Sequence, residues 1–485
     1  MNVAALARSK RIWYFFIKMC EICRISGEET NLQKFIADFA RSHNLAFQTD
    51  AVGNIMVTRE KNPQCSSTKT TLLQAHMDMV PRIADGFDFD FKSMPLPLQI
   101  DGDMLSCSNK TTLGADNGIG VAAALAVLED EKSPFGRIKA LFTVGEEVGM
   151  IGASALNPEW IKDCDQMLNF DSGGGLTVGC AGGVKIHTQL PVYCENYPDG
   201  FRGVKVRVSD LAGGHSGCDI HLNRINAIRV LLQLLGAVRC GIISIAGGTV
   251  DNAIPDSCEA IVAVDENEFE HIKKTWANII GEYAAAASPE DKSIKLTVTP
   301  CVCALHGLTL EYSRKLANDL FALPDGMQSY DQAFEIASSS CNNAVISYAP
   351  DDTVINYSIS LRSPDNAIKE KLRRDLVARL EQVGGCGFMR IEFIGLYPGW
   401  IPNAELPLVR LARRCWQDLF HEDIPIRATH GGLECGILSA ANPGMEVVAF
   451  GPDIYDFHTV NERVSISSVD KMMRYVDALL LELGK

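Results

Sequence analysis

The chain has 485 residues, which is more than one ordinary hydrophobic core accommodates and therefore predicts two domains. Apolar residues make up 47% of the sequence and charged residues 22%, as is typical of a compact soluble protein. The formal net charge of -15, without a dense run of Lys and Arg, argues against nucleic acid as a partner. No apolar stretch reaches the roughly 20 residues that a membrane-spanning helix needs, so no membrane partner is expected.

The N-terminus and the cysteines favour a cytoplasmic protein. Lys18 interrupts the first apolar run and no clear cleavage site follows it, so we predict an amphipathic helix instead of a signal peptide. Sixteen cysteines are scattered through the chain, often within apolar runs, which favours reduced thiols over disulfides. The single CxxC pair, Cys20 and Cys23, lies in a helical pattern without a second pair, so buried helix residues are favoured over a zinc site.

The first 180 residues alternate between helical and extended patterns. Apolar spacing predicts helical structure from Ile12 to about Leu45 and a further helix that begins near Gly118. Such alternation predicts an α/β domain with a largely parallel sheet that helices cover on both faces. The strands predicted in this part are Ala51 to Val57, Thr71 to Val80 and Ile138 to Val144.

Near residue 185 the pattern changes to closely spaced strands, which predicts an inserted α+β domain. Patterns like those of the opening part resume after Pro398. We therefore predict one domain from residues 1–184 and 398–485, interrupted by a second domain at residues 185–397. The second domain is predicted to contain a helix at Asn226 to Leu235 and strands at Lys185 to Pro191, Gly203 to Ser209, Ser257 to Val264, Thr353 to Leu361 and Phe388 to Ile394.

Imidazole and carboxylate side chains lie at the ends of the predicted strands. His76 and Asp78 are two residues apart in an extended run, so both leave the same face, where the carboxylate can orient a metal-bound imidazole. A purely structural pair at a strand end is the alternative. Asp116 lies just before the Gly118 helix, where its two oxygens can bridge two cations or cap the helix.

Glu146 and Glu147 directly follow a predicted strand. Adjacent carboxylates repel each other unless a cation lies nearby, and their different directions let one bind metal while the other transfers a proton. A solvated acidic turn is the alternative. Asp171 ends another apolar run, and His458 follows a strand-like segment near the C-terminus. Because open α/β sheets bind ligands at their strand ends, these residues together predict a metal site.

Further motifs reveal a resemblance to known enzymes. The order of His-Met-Asp, Gly-Ala-Asp-Asn-Gly, Glu-Glu, Asp-Ser and Phe-His-Thr resembles the metallopeptidase clan of aminoacylases and glutamate carboxypeptidases. The chain is more closely similar to the aminoacyl-histidine dipeptidases, which are also called Xaa-His or cytosolic non-specific dipeptidases, of the peptidase D type. The motifs that carry this closer resemblance are Leu176 to Gly183, Gly213 to Ala227, Asn252 to Pro255, Tyr397 to Trp400 and His430 to Gly436.

The resemblance implies a metallopeptidase that hydrolyses dipeptides, including Xaa-His dipeptides such as carnosine. It implies two divalent metal ions, with zinc as the expected metal and cobalt or manganese as alternatives. Glu146 would be the general base for a water activated between the two ions. Asp78 would steady His76. The implied metal ligands are His76 and Asp171 for one ion, Glu147 and His458 for the other, and Asp116 as the bridge.

The resemblance also implies roles for the inserted domain. It would serve as a lid and dimerisation domain, which makes the protein a homodimer that acts on small peptides. His215 would stabilise the oxyanion, in some relatives by reaching into a partner subunit. For Arg362, a surface salt bridge is the alternative to substrate binding, and for Glu434 a structural role is. The expected substrate contacts are Asn252, Arg362, Gly432 and Glu434.

Two departures from the family pattern stand out. Three glycines, Gly173 to Gly175, follow Asp171 and Ser172, where relatives usually carry acidic residues, so the local electrostatics are expected to differ. In the second departure, His430 is followed by two glycines, where relatives often have Ala and then Gly.

Alternative functions fit parts of the sequence. A related aminoacylase or tripeptide aminopeptidase has the same chemistry, and only substrate profiling separates these activities from a dipeptidase. An inactive scaffold with the same fold predicts lost metal ligands, but none of the five is lost. A cysteine hydrolase built on Cys435 and His430 leaves the carboxylates unexplained and has no evident third partner.

Overall fold

The computed structural model describes residues 2–384, 387 and 389–485, and the chain divides into two compact units. The first unit consists of the residues up to Cys180 together with Trp400–Ala428 and Leu433–Lys485. The second unit consists of Ala181–Gly399 and Thr429–Gly432.

The described residues form twelve α-helices and two short 3-10 helices, Pro158–Trp160 and Ile220–Leu222. The helical stretch predicted from Ile12 to Leu45 is interrupted after Met19, because Ile25 leaves the helix and forms a β-bridge with Met79. The α-helices are α1 (Val3–Ser9), α2 (Arg11–Met19), α3 (Thr30–Ser42), α4 (Ala115–Glu129), α5 (Ile151–Ala155), α6 (Ala227–Gly236), α7 (Phe269–Ala286), α8 (Leu310–Phe321), α9 (Asn366–Gly384), α10 (Pro407–Phe420), α11 (Glu434–Ala441) and α12 (Ile466–Leu483).

The same residues form twenty-five strands, and each predicted strand overlaps one of them. The prediction that began at Phe388 starts on a residue outside the described part of the chain. The strands are β1 (Ala46–Thr49), β2 (Ile55–Arg59), β3 (Thr70–His76), β4 (Gln99–Asp101), β5 (Met104–Ser106), β6 (Arg137–Thr143), β7 (Gln166–Asn169), β8 (Leu176–Cys180), β9 (Gly182–Pro191), β10 (Cys194–Asn196), β11 (Phe201–Ser209), β12 (Gly214–His215), β13 (Cys240–Gly247), β14 (Ala253–Ile254), β15 (Cys258–Asp265), β16 (Lys295–Cys301), β17 (His306–Leu308), β18 (Gly326–Asp331), β19 (Ile336–Tyr348), β20 (Val354–Ser363), β21 (Arg390–Tyr397), β22 (Ile426–Thr429), β23 (Glu446–Ala449), β24 (Ile454–Tyr455) and β25 (Arg463–Ser465).

Two of the predicted strands were too long. The strand predicted from residue 51 begins only at Ile55, because the Asp50 carboxylate accepts the backbone N–H groups of Val52, Gly53 and Asn54 and closes a turn there. The strand predicted to run to residue 80 ends at residue 76, beyond which the chain turns away to form the bridge with Ile25.

The first unit is built on an eight-stranded sheet with the order β1-β2-β6-β3-β7-β23-β8-β22. Its centre is parallel, since β3 pairs in parallel with β6 and β7, and β7 pairs in parallel with β23. The flanking pairs β1–β2, β2–β6 and β23–β8 are antiparallel. The predicted α/β fold is thus confirmed, and its parallel character is concentrated in the central strands.

Both faces of this sheet are buried, which explains why the central strands read as continuous apolar runs. Successive residues of β3 point to opposite faces, so Leu73 packs with α2, α4 and α12 while Leu72 packs with α5 and α11. Leu141 and Phe142 alternate in the same way in β6. The first unit therefore has three layers, with the sheet between two layers of helices.

The second unit is built on a nine-stranded sheet, in which β16-β11-β15-β13-β19-β20-β9-β21 lie in order and β18 pairs with β19. The described pairs in this sheet are antiparallel. Helices α6 to α9 cover one face, where Val204 and Val206 of β11 are buried. Lys205 and Arg207 point to the other face, so the strands show the alternation typical of a sheet with one solvated side.

None of the helices in the described chain combines the length and the apolar composition needed to cross a bilayer. The cysteines that the structure describes are free thiols, as the scattered pattern predicted.

Leu73 tests the assignment of the sheet core. It is fully buried, so Leu73→Ala should lower the free energy of unfolding by about 2 to 5 kcal/mol, because the truncation leaves a cavity among packed side chains. Leu481 is 38% exposed, and Leu481→Ala should change this free energy by less than about 0.5 kcal/mol. Urea unfolding followed by circular dichroism measures both variants. Equal losses would contradict the assignment.

Candidate functional site

Three parallel strands of the first unit end at the same edge of the sheet. Because β3, β6 and β7 run side by side in one direction, the residues at their carboxyl ends meet there. The sequence places polar side chains at these positions instead of continuing the apolar runs. The residues that end these strands or follow them within four residues are His76, Glu146, Glu147 and Asp171.

Two further residues reach this edge from loops. Asp116 lies at a kink near the start of α4, where residues 116 and 117 depart from helical geometry before the regular helix begins. His458 follows β24 and adopts a φ of 63°, which is uncommon for a residue with a side chain. Sequence reasoning placed both residues near the strand ends, and the structure brings them together with the strand residues.

Asp116 occupies the centre of a five-residue cluster formed by His76, Asp116, Glu147, Asp171 and His458. Its Oδ1 lies 3.2 Å from His76 Nε2, and its Oδ2 lies 3.5 Å from His458 Nε2. On the outer sides, Asp171 Oδ1 lies 3.9 Å from His76 Nε2 and Glu147 Oε1 lies 2.8 Å from His458 Nε2. One carboxylate therefore faces two imidazoles, each of which has a further carboxylate beside it.

The donor atoms of this cluster fit a divalent metal ion. One ligand atom each from His76, Asp116 and Glu147 lie within 4.8 Å of one another. His458 Nε2 and Glu147 Oε1 are buried and lie 2.8 Å apart, but this contact does not have the geometry of a hydrogen bond. Buried polar atoms without hydrogen bonds are costly, and a cation bound by both atoms would remove this cost. Imidazole nitrogen and carboxylate oxygen together suit zinc, cobalt or manganese.

The electrostatics of the cluster point the same way. Burial raises the pKa of Asp171 above its ordinary value, and the nearby Asp116 charge raises it further. Burial raises the pKa of Glu146 well above its ordinary value, although His76 opposes this effect. Burial lowers the pKa of His458, but contacts with Asp116 and Glu147 outweigh it and raise the pKa to about 10. Negative charge is thus in excess, which favours cation binding.

Asp78 holds both an imidazole and a loop. It is fully buried, its Oδ1 lies 3.4 Å from His76 Nδ1, and its Oδ2 accepts the Ser26 hydroxyl at 2.8 Å. Its two oxygens also accept the backbone N–H groups of Glu146 at 3.0 Å and Glu147 at 3.2 Å. The sequence predicted only the contact with His76. Asp78 additionally fixes the backbone of the adjacent glutamates.

Sequence reasoning missed two further carboxylates. Glu29 is buried and accepts the backbone N–H of Gly145 at 3.0 Å, next to the Glu146 loop. Glu462 is 2% exposed and accepts backbone N–H groups beside Asp116. Because these side chains bind backbone groups, no residue pairing in the sequence announces them. The only available signal for Glu462 is its position four residues after His458.

Glu434, a predicted substrate contact, is 1% exposed in the first unit. Its Oε2 accepts hydrogen bonds from Gln74 at 2.5 Å and from Thr143 at 2.7 Å. Burial raises the pKa of its carboxyl to about 6. This enclosure favours the structural alternative, and contact with a substrate amine stays a prediction.

His215 lies in the second unit, in a short strand, β12, that pairs with β14. Its Nδ1 accepts the backbone N–H of Gly217 at 3.2 Å, so the proton of the neutral ring is on Nε2. Burial and the nearby Arg362 charge lower the pKa of His215, which keeps the ring neutral at neutral pH. His215 therefore presents Nε2–H as a hydrogen-bond donor.

The second unit brings other predicted substrate contacts near His215. The Asn252 carbonyl accepts the backbone N–H of Ser216 at 2.8 Å. Arg362 Nη1 lies 3.3 Å from the Tyr397 hydroxyl, and among the described residues Arg362 forms no ion pair, which disfavours the surface salt bridge. Gly432 packs so closely on the Tyr397 ring that a Cβ there would lie 2.7 Å from it.

The cysteine-hydrolase alternative is disfavoured by both of its residues. Cys435 is fully buried, and burial raises the pKa of its thiol well above the ordinary range, so a reactive thiolate is unfavourable. Burial, together with Arg362, lowers the pKa of His430 to about 3, and Ser340 Oγ lies 2.7 Å from its Nε2. The hydrogen-bonding partner of His430 is thus a serine in the second unit.

The glycines that follow Asp171 have a steric reason. Gly175 has a φ of 150°, and a Cβ there would lie 2.4 Å from the Pro425 carbonyl oxygen. A Cβ on Gly174 would lie 3.1 Å from Arg427 Nη1. The glycines therefore let the loop lie directly against residues 425–427.

Gly175→Ala tests this packing. We expect the free energy of unfolding to fall by more than about 1 kcal/mol, because the new methyl group meets a backbone oxygen and the loop cannot retreat without moving Asp171. Gly281 lies in α7 with open space around it, so Gly281→Ala should be neutral or stabilising. Thermal denaturation of both variants decides the matter, and an unchanged Gly175→Ala variant would refute the steric argument.

Comparison with known proteins places this geometry in a family. Residues 72–482 match the model of peptidase family M20/M25/M40. The chain is 33% identical over 482 residues to the cytosol non-specific dipeptidase of Escherichia coli (strain K12), and the match covers 97% of each chain. The crystal structure of aminoacylhistidine dipeptidase from Vibrio alginolyticus has a TM-score of 0.88 at 29% identity, covering 99% of this chain and 98% of that one.

A more distant structure shares the fold alone. Human carnosine dipeptidase 1 has a TM-score of 0.52 at 15% identity and covers 99% of this chain and 98% of its own. The predicted resemblance to aminoacyl-histidine dipeptidases is confirmed, and the chain belongs to peptidase family M20/M25/M40.

Proposed function

We propose that this protein is a cytoplasmic metallodipeptidase that hydrolyses dipeptides, including Xaa-His dipeptides such as carnosine. The central observation is the five-residue cluster, in which the two oxygens of Asp116 face two imidazoles at the carboxyl edge of the sheet. The dipeptidases of E. coli and V. alginolyticus, which match nearly the whole chain, support the choice of substrate.

We assign two divalent ions to the cluster, with zinc as the proposed metal. His76 and Asp171 would hold one ion, Glu147 and His458 the other, and Asp116 would bind both. Two bound ions lower the pKa of a water and polarise the peptide carbonyl, which supplies the electrophilic part of the reaction.

Glu146 is the proposed general base. Its backbone N–H is held by Asp78 at 3.0 Å, while its side chain lies among the carboxylates of the cluster. In this position it takes the proton of the attacking water and later gives it to the leaving amine. Asp78 keeps the imidazole of His76 and the Glu146 backbone in fixed orientations.

The second unit is proposed to bind the peptide and to serve as the lid and dimerisation domain of a homodimer. The Nε2–H of His215 stabilises the negative oxygen that develops on the peptide carbonyl. Arg362 offers a positive charge to the carboxylate of the dipeptide, because its guanidinium contacts uncharged groups, the Tyr397 hydroxyl and the His430 carbonyl. Asn252 and Gly432 are proposed to contact the peptide backbone.

Glu146→Gln tests the mechanism. The substitution keeps the shape of the side chain but removes its ability to accept a proton, so kcat should fall by about 100- to 10,000-fold with little change in KM. Glu159→Gln, at an exposed position, should retain full activity. Metal analysis should find unchanged metal content in both variants. Full activity in Glu146→Gln, or in the wild-type protein after chelation, would refute the mechanism.

A substrate panel tests the specificity. Xaa-His and other dipeptides should be cleaved faster than tripeptides or N-acetyl amino acids. Preferential cleavage of tripeptides or N-acetyl amino acids would favour a tripeptide aminopeptidase or an aminoacylase over a dipeptidase.

Arg362→Ala should raise KM for dipeptides by about 10-fold or more, because it removes the charge offered to the free carboxylate. For dipeptide amides, which lack this free carboxylate, the same substitution should raise KM less. Arg207→Ala, which removes an exposed arginine, serves as the control.

A further inference from the structure

The Glu462 carboxylate collects a run of consecutive backbone N–H groups. Its Oε2 accepts those of Leu113 and Gly114, each at 2.8 Å, and its Oε1 accepts that of Ala115 at 2.8 Å and, more weakly, that of Asp116 at 3.4 Å. The side chain is 2% exposed. Both oxygens are thus occupied by backbone donors, and the residue is not placed to bind a metal ion itself.

A buried arginine holds the same segment from the other side. Arg24 is 1% exposed, and its guanidinium donates to the carbonyl oxygens of Gly114 and Met77. The backbone of Gly114 is therefore held at its N–H by Glu462 and at its carbonyl by Arg24. Only glycine fits there, because φ is 65° and a Cβ would lie 2.4 Å from an Arg24 nitrogen.

Glu462 also belongs to the loop that carries His458. In this loop Asp456 has a φ of 51° and His458 a φ of 63°, conformations that persist for such residues only where surrounding contacts hold them. The Glu462 N–H donates to the Thr459 carbonyl at 3.2 Å, and the Thr459 hydroxyl donates to the Asp456 carbonyl at 2.7 Å. These hydrogen bonds close the loop into a turn. The Glu462 side chain extends from this turn to the Asp116 segment.

We propose that Glu462 is a positioning residue that fixes the Asp116 segment and the His458 loop relative to each other, so that the Glu147–His458 half of the cluster depends on it. The two halves differ in their support. His76 ends β3 and is held by Asp78, whereas His458 lies in the loop between the short strands β24 and β25. Besides the 3.5 Å contact of His458 with Asp116, Glu462 joins this loop to the backbone of the Asp116 segment. This inference rests on the metal centre of the proposed function.

The substitution Glu462→Gln tests this proposal. It preserves the size of the side chain but replaces one acceptor oxygen with an NH2 group that faces two backbone donors. We expect the protein to bind the first zinc ion as the wild type does and to lose about 10- to 100-fold in affinity for the second. Stepwise zinc dissociation constants, from competition with a chromophoric chelator, measure this. His458→Ala provides the reference for a protein that lacks the second site.

Asp291→Asn is a matched control. Asp291 is fully buried in the second unit, accepts the backbone N–H groups of Ala212 at 2.8 Å and Ile225 at 2.7 Å, and is not a member of the five-residue cluster. It should lower thermal stability while both zinc constants stay as in the wild type. A purely structural role for Glu462 predicts that Glu462→Gln behaves like this control, and that result would overturn the proposal.

A kinetic readout is independent of the titration. The zinc concentration that gives half-maximal activity should rise in Glu462→Gln by about the same 10- to 100-fold, with kcat recovering at saturating zinc.

If Glu462→Gln does not fold, Glu462→Asp decides by the same criteria, because it keeps both acceptor oxygens but is shorter by one methylene group. A wild-type protein that binds fewer than two zinc ions would instead refute the metal centre. Two tight ions in Glu462→Gln, together with loss of the second ion in His458→Ala, would refute only the role of Glu462.

Discussion

Negative charge crowds at the carboxyl edge of the first sheet, where four carboxylates surround two imidazoles. Burial raises the pKa values of Asp171 and Glu146, and repulsion from neighbouring carboxylates adds to this effect. The chain accepts this cost because three parallel strands end side by side and deliver their next residues to one place. The same crowding is an attraction for a divalent cation, so local instability and metal affinity have one origin.

Around this centre the same interaction recurs, a hydrogen bond from a backbone N–H group to a buried carboxylate. Buried carboxylates that are not themselves in the five-residue cluster accept backbone N–H groups of the loops that carry it: Glu29 at Gly145, Asp78 at the two glutamates, and Glu462 at the segment before Asp116. In the second unit, Asp291 holds both ends of the segment that contains His215. These hydrogen bonds fix the loops, and they occupy the carboxylate oxygens that form them. They therefore suit a site that needs fixed geometry.

The parts of the molecule that follow from periodicity and order were predictable. The α/β class, the position of the central strands and the meeting of His76, Asp171 and the two glutamates at one edge follow from apolar runs that end in polar residues. Segment ends were less predictable, because tertiary contacts decide them, such as the bridge between Ile25 and Met79 that ends β3 early.

The supporting carboxylates were not predictable for a different reason. Glu29 and Glu462 bind backbone groups, which every residue carries, so their partners leave no trace in the sequence. The glycines after Asp171 illustrate the same limit. The sequence shows that these residues lack side chains. It does not show why, because the Pro425 oxygen and the Arg427 side chain that they pack against are distant in the chain.

The strand order of the first sheet has a consequence for synthesis on the ribosome. β23 lies between β7 and β8, although it follows them by more than 250 residues in the chain, so a nascent protein has a gap in this sheet until β23 has emerged. His458 and Glu462 come later still. The second unit, in contrast, has nearly all of its residues by Gly399. Domains generally fold as units as they emerge, so the inserted unit is nearly complete before the cluster, which needs residues 446–462, can close. A chain that stalls before residue 458 therefore lacks one member of the five-residue cluster.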